Sequence, residues 1–303
     1  MQGFLNLNKP AGLTSHDCVA RLRRLLKTKR IGHGGTLDPA ATGVLPIAVG
    51  RATRLLQYLS HEKAYCATIR FGITTTTDDL EGDILTQAAA PQLALDLIQQ
   101  KLPQFQGTIQ QIPPSFSAIQ VGGKRLYELA RAGEAVEAPV RTVEIHQIEI
   151  VNWQPGDFPE LTVNIACGTG TYIRSIARDL GAALGTGATL AALSRTASSG
   201  FLRQDSLTLE TVAAQLEAKT LTLTPPEMAL QHLPHLTLTD LPAKRWQQGQ
   251  RIDWQEITDP SPSLSPTSYQ IQQANGQFLG IGQIIETEVS RALIPKLVWQ
   301  EAE

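Results

Sequence analysis

Apolar and polar positions along the 303 residues switch between a period of two and the longer period of a helix. Phe4 to Asn8 alternates Leu5 and Leu7 with Asn6 and Asn8 until Lys9-Pro10 and Gly12 break the pattern, which predicts a short strand followed by a turn. A helix is expected next. Thr14 or Ser15 can cap it, Asp17 suits its first turn, and Val19, Leu22 and Leu26 recur on one face, leaving Arg21, Arg23 and Arg24 on an outer basic ridge. Tyr65 to Phe71 predicts a strand with Tyr65, Ala67, Ile69 and Phe71 on one side, and Leu161 to Cys167 repeats the alternation. Helical spacing returns at Ile173, Ile176, Leu180 and Leu184 after Gly168 and Gly170, and again from Lys124 to Ala132, where Gly133 stops it. Strands and helices are interspersed without a regular βαβ rhythm, so the expected class is α+β.

Thr224-Pro225-Pro226 interrupts the pattern, and short β-like runs beyond it surround a Pro/Ser-rich tract from Asp259 to Ser268. The expected organisation is a main domain over residues 1–225 and a small β-rich module over 226–303, with Pro260, Pro262 and Pro266 in an exposed loop.

Composition adds a core and a charge gradient. A chain this long with 42% hydrophobic residues can bury a substantial interior, which excludes a collagen-like, coiled-coil or mostly disordered protein. The net charge of −2 shows no global basicity, yet residues 1–63 carry a balance of +7 and the remaining 240 carry −9. That asymmetry fits a polyanion partner on one face. Cys18, Cys66 and Cys167 are odd in number, far apart and at apolar positions, as expected of inert thiols in a reduced, cytoplasmic setting. The opening MQGFLNLNKP lacks a secretory core, and the most apolar uncharged stretch, Leu180 to Leu193, falls short of the roughly 20 residues of a bilayer span. No export and no membrane partner are expected.

The densest segment is Gly32-His33-Gly34-Gly35-Thr36-Leu37-Asp38-Pro39, continuing through Ala41-Thr42-Gly43-Val44-Leu45-Pro46 to Gly50. It lacks the Gly-Lys-Ser/Thr ending of a P-loop and the third glycine of the dinucleotide pattern, and Gly168, Gly170 and Ile173 fail likewise. What remains is one aspartate and one histidine in a stiff loop; by themselves they read as a turn. The acidic patch Asp78, Asp79, Glu81 and Asp83 lacks the ligand alternation of a calcium loop and reads as a solvated loop rather than a metal site. His232 and His235, with Pro234 between them and no glutamate partner, read as surface residues. No metal and no cofactor are expected.

The run from Gly32 to Leu45 resembles motif II of the bacterial tRNA pseudouridine-55 synthases, the TruB family. Other segments agree in order and spacing: Leu7-Asn8-Lys9-Pro10 with Gly12 and Ser15, Lys63-Ala64-Tyr65, Gln111-Ile112-Pro113-Pro114 with Ser117-Ala118, and Arg125-Leu126-Tyr127-Glu128-Leu129-Ala130-Arg131-Ala132-Gly133. Gly168-Thr169-Gly170-Thr171-Tyr172-Ile173-Arg174-Ser175 and Leu193-Ser194-Arg195 complete a likeness that runs from about residue 3 to residue 225. Thr76, Gln120 and Phe116 depart from the family's usual residues near the RNA-facing rim.

The resemblance implies a pseudouridine synthase fold, a mixed and mostly antiparallel sheet flanked by helices, with a PUA-like C-terminal module. It implies an isomerase acting on the uridine at position 55 in the T-loop of tRNA, with the T-arm as partner. Asp38 would be the catalytic aspartate, Tyr65 would stack on the target base and Arg174 would pair with the aspartate. His33, Tyr172 and Leu193 would line the pocket, with Asp79 and Lys9 at substrate-binding positions. Phosphate contacts would come from Arg21, Arg23, Arg24, Lys27, Lys29 and Arg30, a ridge of six cations in ten positions. The reaction moves the C1′ bond from N1 to C5 without redox change or net hydrolysis, so a single carboxylate suffices. The motifs resemble the stand-alone bacterial type, so a monomer without guide RNA is expected. The alternatives are a non-catalytic RNA-binding or RNA-folding protein on this scaffold, and a metal-dependent hydrolase built on the Asp78 to Asp83 patch.

Overall fold

The computed structural model describes residues 1–117, 119–121, 123–126, 138–257, 268–286 and 291–300. Nine strands form the main sheet: β1 (Gly3–Lys9), β2 (Ile31–His33), β3 (Thr42–Val49), β4 (Lys63–Phe71), β5 (Gly107–Gln111), β6 (Arg141–Gln154), β7 (Glu160–Cys167), β8 (Ala188–Ser198) and β9 (Phe201–Leu202). The central path runs β1-β3-β8-β4-β7-β6-β5, with β2 paired to β3 and β9 to β8. Only the β3–β8 pairing is parallel, so the sheet is mixed and mostly antiparallel, as expected.

Helices cover the sheet as the apolar spacing predicts. In α1 (Ser15–Leu25) the Thr14 hydroxyl accepts from the Asp17 amide while Asp17 accepts from the Thr14 amide, a reciprocal cap worth about 1 kcal/mol. Cys18, Val19 and Leu22 are buried with Leu5, Leu7, Leu45 and Ile47 of the sheet and with Leu209 and Val212 of α3 (Leu209–Glu217). Helix α2 (Ile173–Ala183) lays Ile176 and Leu180 against Ala67, Ile69, Phe71, Val163 and Ile165.

Three expectations change. The α1 helix stops at Leu25, and Lys27 takes a positive φ of 50°, so Lys27, Lys29 and Arg30 extend the basic strip along a turn rather than a helix. β1 is buried on both faces although its Leu/Asn alternation has the pattern of a half-buried strand: Asn6 is covered and donates to the Leu202 carbonyl at 2.7 Å. Lys124 and Arg125, expected to open a helix, form a short strand paired with Gln120–Val121 around Gly123, whose φ is +85°. The rest of that expected helix, residues 127–133, and most of the Pro/Ser-rich tract, 259–267, lie outside the described residues.

The second sheet joins β10 (His235–Leu238), β11 (Ile252–Asp253), β12 (Tyr269–Gln273), β13 (Phe278–Glu286) and β14 (Arg291–Val298) in the order β10-β12-β13-β14-β11. Trp246 from α4 (Asp240–Gln247) packs into it with Tyr269, Ile271 and Leu293. The two sheets share apolar contacts: Phe4, Val44, Ala48 and Phe201 of the first are buried with Phe278, Ile281, Leu297 and Trp299 of the second. Among the described residues no helix is long and apolar enough to cross a membrane.

Candidate active site

The segment between β2 and β3 carries Asp38, and buried polar side chains hold it in place. Lys9, fully buried, donates to the carbonyls of Pro10, Leu13 and Pro39 at 2.8, 2.6 and 3.0 Å. The Ser15 hydroxyl accepts from the Leu37 amide and donates back to the Leu37 carbonyl. Arg195, also without solvent exposure, donates to the carbonyls of Val44 at 2.7 Å, Gly35 at 3.1 Å and Thr36 at 3.4 Å. A covered carbonyl without a partner is costly, so these two buried cations fix the loop by satisfying backbone groups that are at least partly withdrawn from water. Gly43 lets β3 and β8 approach: its φ is +101°, and a Cβ there would stand 2.2 Å from the Arg195 carbonyl oxygen.

Arg174 enters from the first turn of α2. The Gln111 side chain anchors that turn by accepting from the Tyr172 amide at 2.8 Å and donating to the Tyr172 carbonyl at 3.0 Å. The Arg174 guanidinium, almost fully buried, lies 3.0 Å from Asp38 Oδ2 and 3.7 Å from Asp79 Oδ2. It also donates to the carbonyls of Thr77 and Phe116, at 2.9 and 3.1 Å. One arginine thus orients two carboxylates that are 41 positions apart in sequence. Asp79 is further engaged by the Thr77 hydroxyl and the Glu81 amide, whereas the Asp38 side chain retains 39% exposure.

Asp38, Tyr65, Asp79, Tyr172, Arg174 and Leu193 all line one cavity of about 660 Å³. Tyr65 on β4 stands opposite Arg195 on β8, whose guanidinium charge acts on the phenol. Burial pushes the Tyr65 phenol above its ordinary range while Arg195 pulls it back. Burial likewise pushes the Lys9 ammonium down.

Two expected contacts are relocated. Lys9 lies beneath the Asp38 loop as its anchor, away from the cavity surface, because its amine is consumed by three carbonyls. His33 is fixed by the pairing of β2 with β3 and stands behind the wall; His16 lines the cavity instead, with its ring edge-on to His33 at 5.4 Å. Burial, then His16, pushes the His33 imidazole down. The acidic patch is less solvated than expected, since Asp78 pairs with Arg178 at 2.9 Å and Asp79 faces Arg174. Cys66 is only half-buried, while Cys18 and Cys167 are buried. Lys63 also lines the cavity, a position that motif reading noted without a role. Arg21, Arg23, Arg24, Lys27, Lys29 and Arg30 are all exposed, and Arg23 donates to the Ile31 carbonyl.

Comparison with known proteins agrees over nearly the whole chain. The TruB family pseudouridylate synthase N-terminal domain matches residues 23–173, the tRNA pseudouridylate synthase B C-terminal domain matches 174–232, and a further TruB C-terminal domain matches 234–296. A protein of Nostoc sp. named tRNA pseudouridine synthase B is 57% identical over 300 residues, covering 99% of both chains. One of the same name from Gloeobacter violaceus is 60% identical over 253 residues, 83% of this chain and 87% of its own. Among solved structures, a chain of a Cbf5–Nop10–Gar1 complex superposes with a TM-score of 0.76 at 28% identity, covering 98% of this chain and 84% of that one. With three consecutive domain matches and full-length relatives of this identity, the chain belongs to the TruB family of pseudouridylate synthases.

Proposed function

We propose that the protein converts uridine to pseudouridine at position 55 in the T-loop of tRNA, with Asp38 as the catalytic carboxylate. The observation that carries this reading is the Asp38–Arg174 pair, at 3.0 Å, in a cavity also lined by Tyr65 and Tyr172. A uridine unstacked from the loop loses a few kcal/mol of stacking, which the two aromatic rings can offset. Arg174 fixes the carboxylate so that its second oxygen faces the nucleotide. Asp38 then acts as nucleophile or as the base that starts elimination, the N1–C1′ bond breaks with its electron pair left on N1, the base turns, C5 bonds to C1′ as any bond to Asp38 is released, and the proton lost from C5 is balanced by one taken up at N1. Asp79 is held by the Thr77 hydroxyl, the Glu81 amide and Arg174, which leaves Asp38 as the carboxylate that Arg174 presents to the nucleotide.

In this reading Tyr65 stacks on the base, Leu193 and His16 complete the wall, His33 supports His16, and the strip from Arg21 to Arg30 binds phosphates. Residues 1–225 carry the chemistry and 226–303 act as an RNA-binding appendage. In this reading the protein works as a cytoplasmic monomer with no guide RNA, and the redox-neutral rearrangement asks for no metal or cofactor. The test is incubation of purified protein with unmodified tRNA transcript, followed by mapping of pseudouridine. Position 55 is modified by the wild type, and Asp38→Asn abolishes the product while tRNA binding persists. A fully active Asn variant sinks the assignment, and tRNA bound but never modified by the wild type favours the non-catalytic reading.

A further inference from the structure

Cation and anion are segregated around the cavity. Asp38 and Asp79 share Arg174, and Arg195 is consumed by three backbone carbonyls. Lys63 is different. It opens β4 two residues before Tyr65, so strand alternation brings both side chains out on one face, and it is half-buried in the cavity wall. Among the described residues no carboxylate lies within salt-bridge distance of its amine; the adjacent Glu62 turns to His146 at 2.7 Å. Arg195 acts against its charge, and the nearby Glu62 offsets only part of the penalty of burial. Its stem lies over Gly35, where a Cβ would come within 3.7 Å of Lys63 Cε.

A half-buried ammonium without a counter-ion is unfavourable, and both burial and the neighbouring Arg195 push Lys63 below its ordinary range. An anion entering the cavity removes that penalty. RNA supplies one recurring anion, the phosphodiester, and a lysine meets it as a point charge without the bidentate geometry that arginine imposes. We propose that Lys63 binds a phosphodiester adjoining the target uridine and so sets how deeply the nucleotide enters, with the base delivered to Tyr65 and the sugar to Asp38. The identity of the ligand rests on the pseudouridylation reading.

The test couples the amine to one phosphate. tRNA transcripts are assembled with a single uncharged methylphosphonate on the 5′ or the 3′ side of the target uridine, and binding is measured on the complete chain carrying Asp38→Asn to prevent turnover. Lys63→Met weakens binding of the all-phosphate tRNA by about tenfold. It also lowers the slope of log affinity against log salt by about 0.7. One of the two methylphosphonates weakens binding to the Lys63 chain by a similar factor but leaves the Lys63→Met chain unaffected. In chains retaining Asp38, the loss from Lys63→Met falls on KM more than on the rate at saturation, and Lys63→Arg recovers most of it. Additive effects at both linkages overturn the proposal, as does a drop in saturated rate with unchanged binding, which would make Lys63 a proton-transfer group. If the Asp38 chain forms no pseudouridine, the functional reading fails, whereas the phosphate coupling is still read from binding alone.

Discussion

The Asp38 loop and the basic strip from Arg21 to Arg30 belong to the same stretch of some thirty residues, yet they are held in opposite ways. Lys9, Ser15 and Arg195 fasten the loop through its backbone carbonyls and amides, and all three are buried. The strip is exposed throughout, and half of it follows a helix that has already ended. A carboxylate that must meet one atom of a nucleotide needs its position settled before substrate arrives. Phosphates spread over an RNA surface need only positive charge within reach, and long side chains supply it without fixed geometry.

That contrast can be broken at either end. Arg195→Met strands the buried Val44 carbonyl and takes the donor from the part-buried carbonyls of Gly35 and Thr36, so stability in urea falls by about 3 kcal/mol and the residual folded protein loses turnover. Lys9→Met acts the same way from below the loop, with a loss of about 3 kcal/mol, because the carbonyls of Pro10, Leu13 and Pro39 lose their donor. Unchanged urea midpoints in both would show that the loop is held by other means. The combined Arg21→Gln, Arg24→Gln and Lys29→Gln variant should leave the midpoint alone, weaken tRNA binding at low salt by roughly tenfold or more, and flatten its salt dependence by about 2 in slope. A lowered midpoint would mean that the strip is structural.

The smallest effect concerns acid. Burial lowers the His33 pKa below its ordinary value of 6.5, so the unfolded chain takes up the proton first as pH falls. The His33 contribution is therefore fully present above pH 6.5 and declines as pH drops below that value. His33→Gln should flatten part of that slope in pH-dependent urea titrations, and His232, lowered by burial in the same way, carries a further part.

Much of this was legible in the chain. β4 and β7 follow from strict alternation, α1 from Thr14 and Asp17, and Asp38, Tyr65, Arg174 and Leu193 from motif resemblance. The remainder depends on long-range partners that no local pattern carries. Lys9 looks like a surface cation until the three carbonyls that consume it are seen. Arg195 serves a loop some 150 positions earlier, and a Leu-Ser-Arg sequence says nothing of that. His16 lies in the first turn of α1 and His33 ends β2; only the packing of α1 against β2 decides which of them reaches the cavity. β1 reads as half-exposed because the residues that cover its second face lie near the opposite end of the chain.

That last arrangement has a consequence for how the protein is made. β1 can pair with β3 as soon as about fifty residues have left the ribosome, but the apolar face of Phe4, Val44 and Ala48, which Phe201 and Leu230 cover in part, is not completed until Phe278, Leu297 and Trp299 emerge. At ordinary synthesis rates that interval is on the order of tens of seconds. Through it the nascent chain carries a partly open apolar face, so chaperone demand should be set by the last strands to be translated rather than by the Asp38 loop.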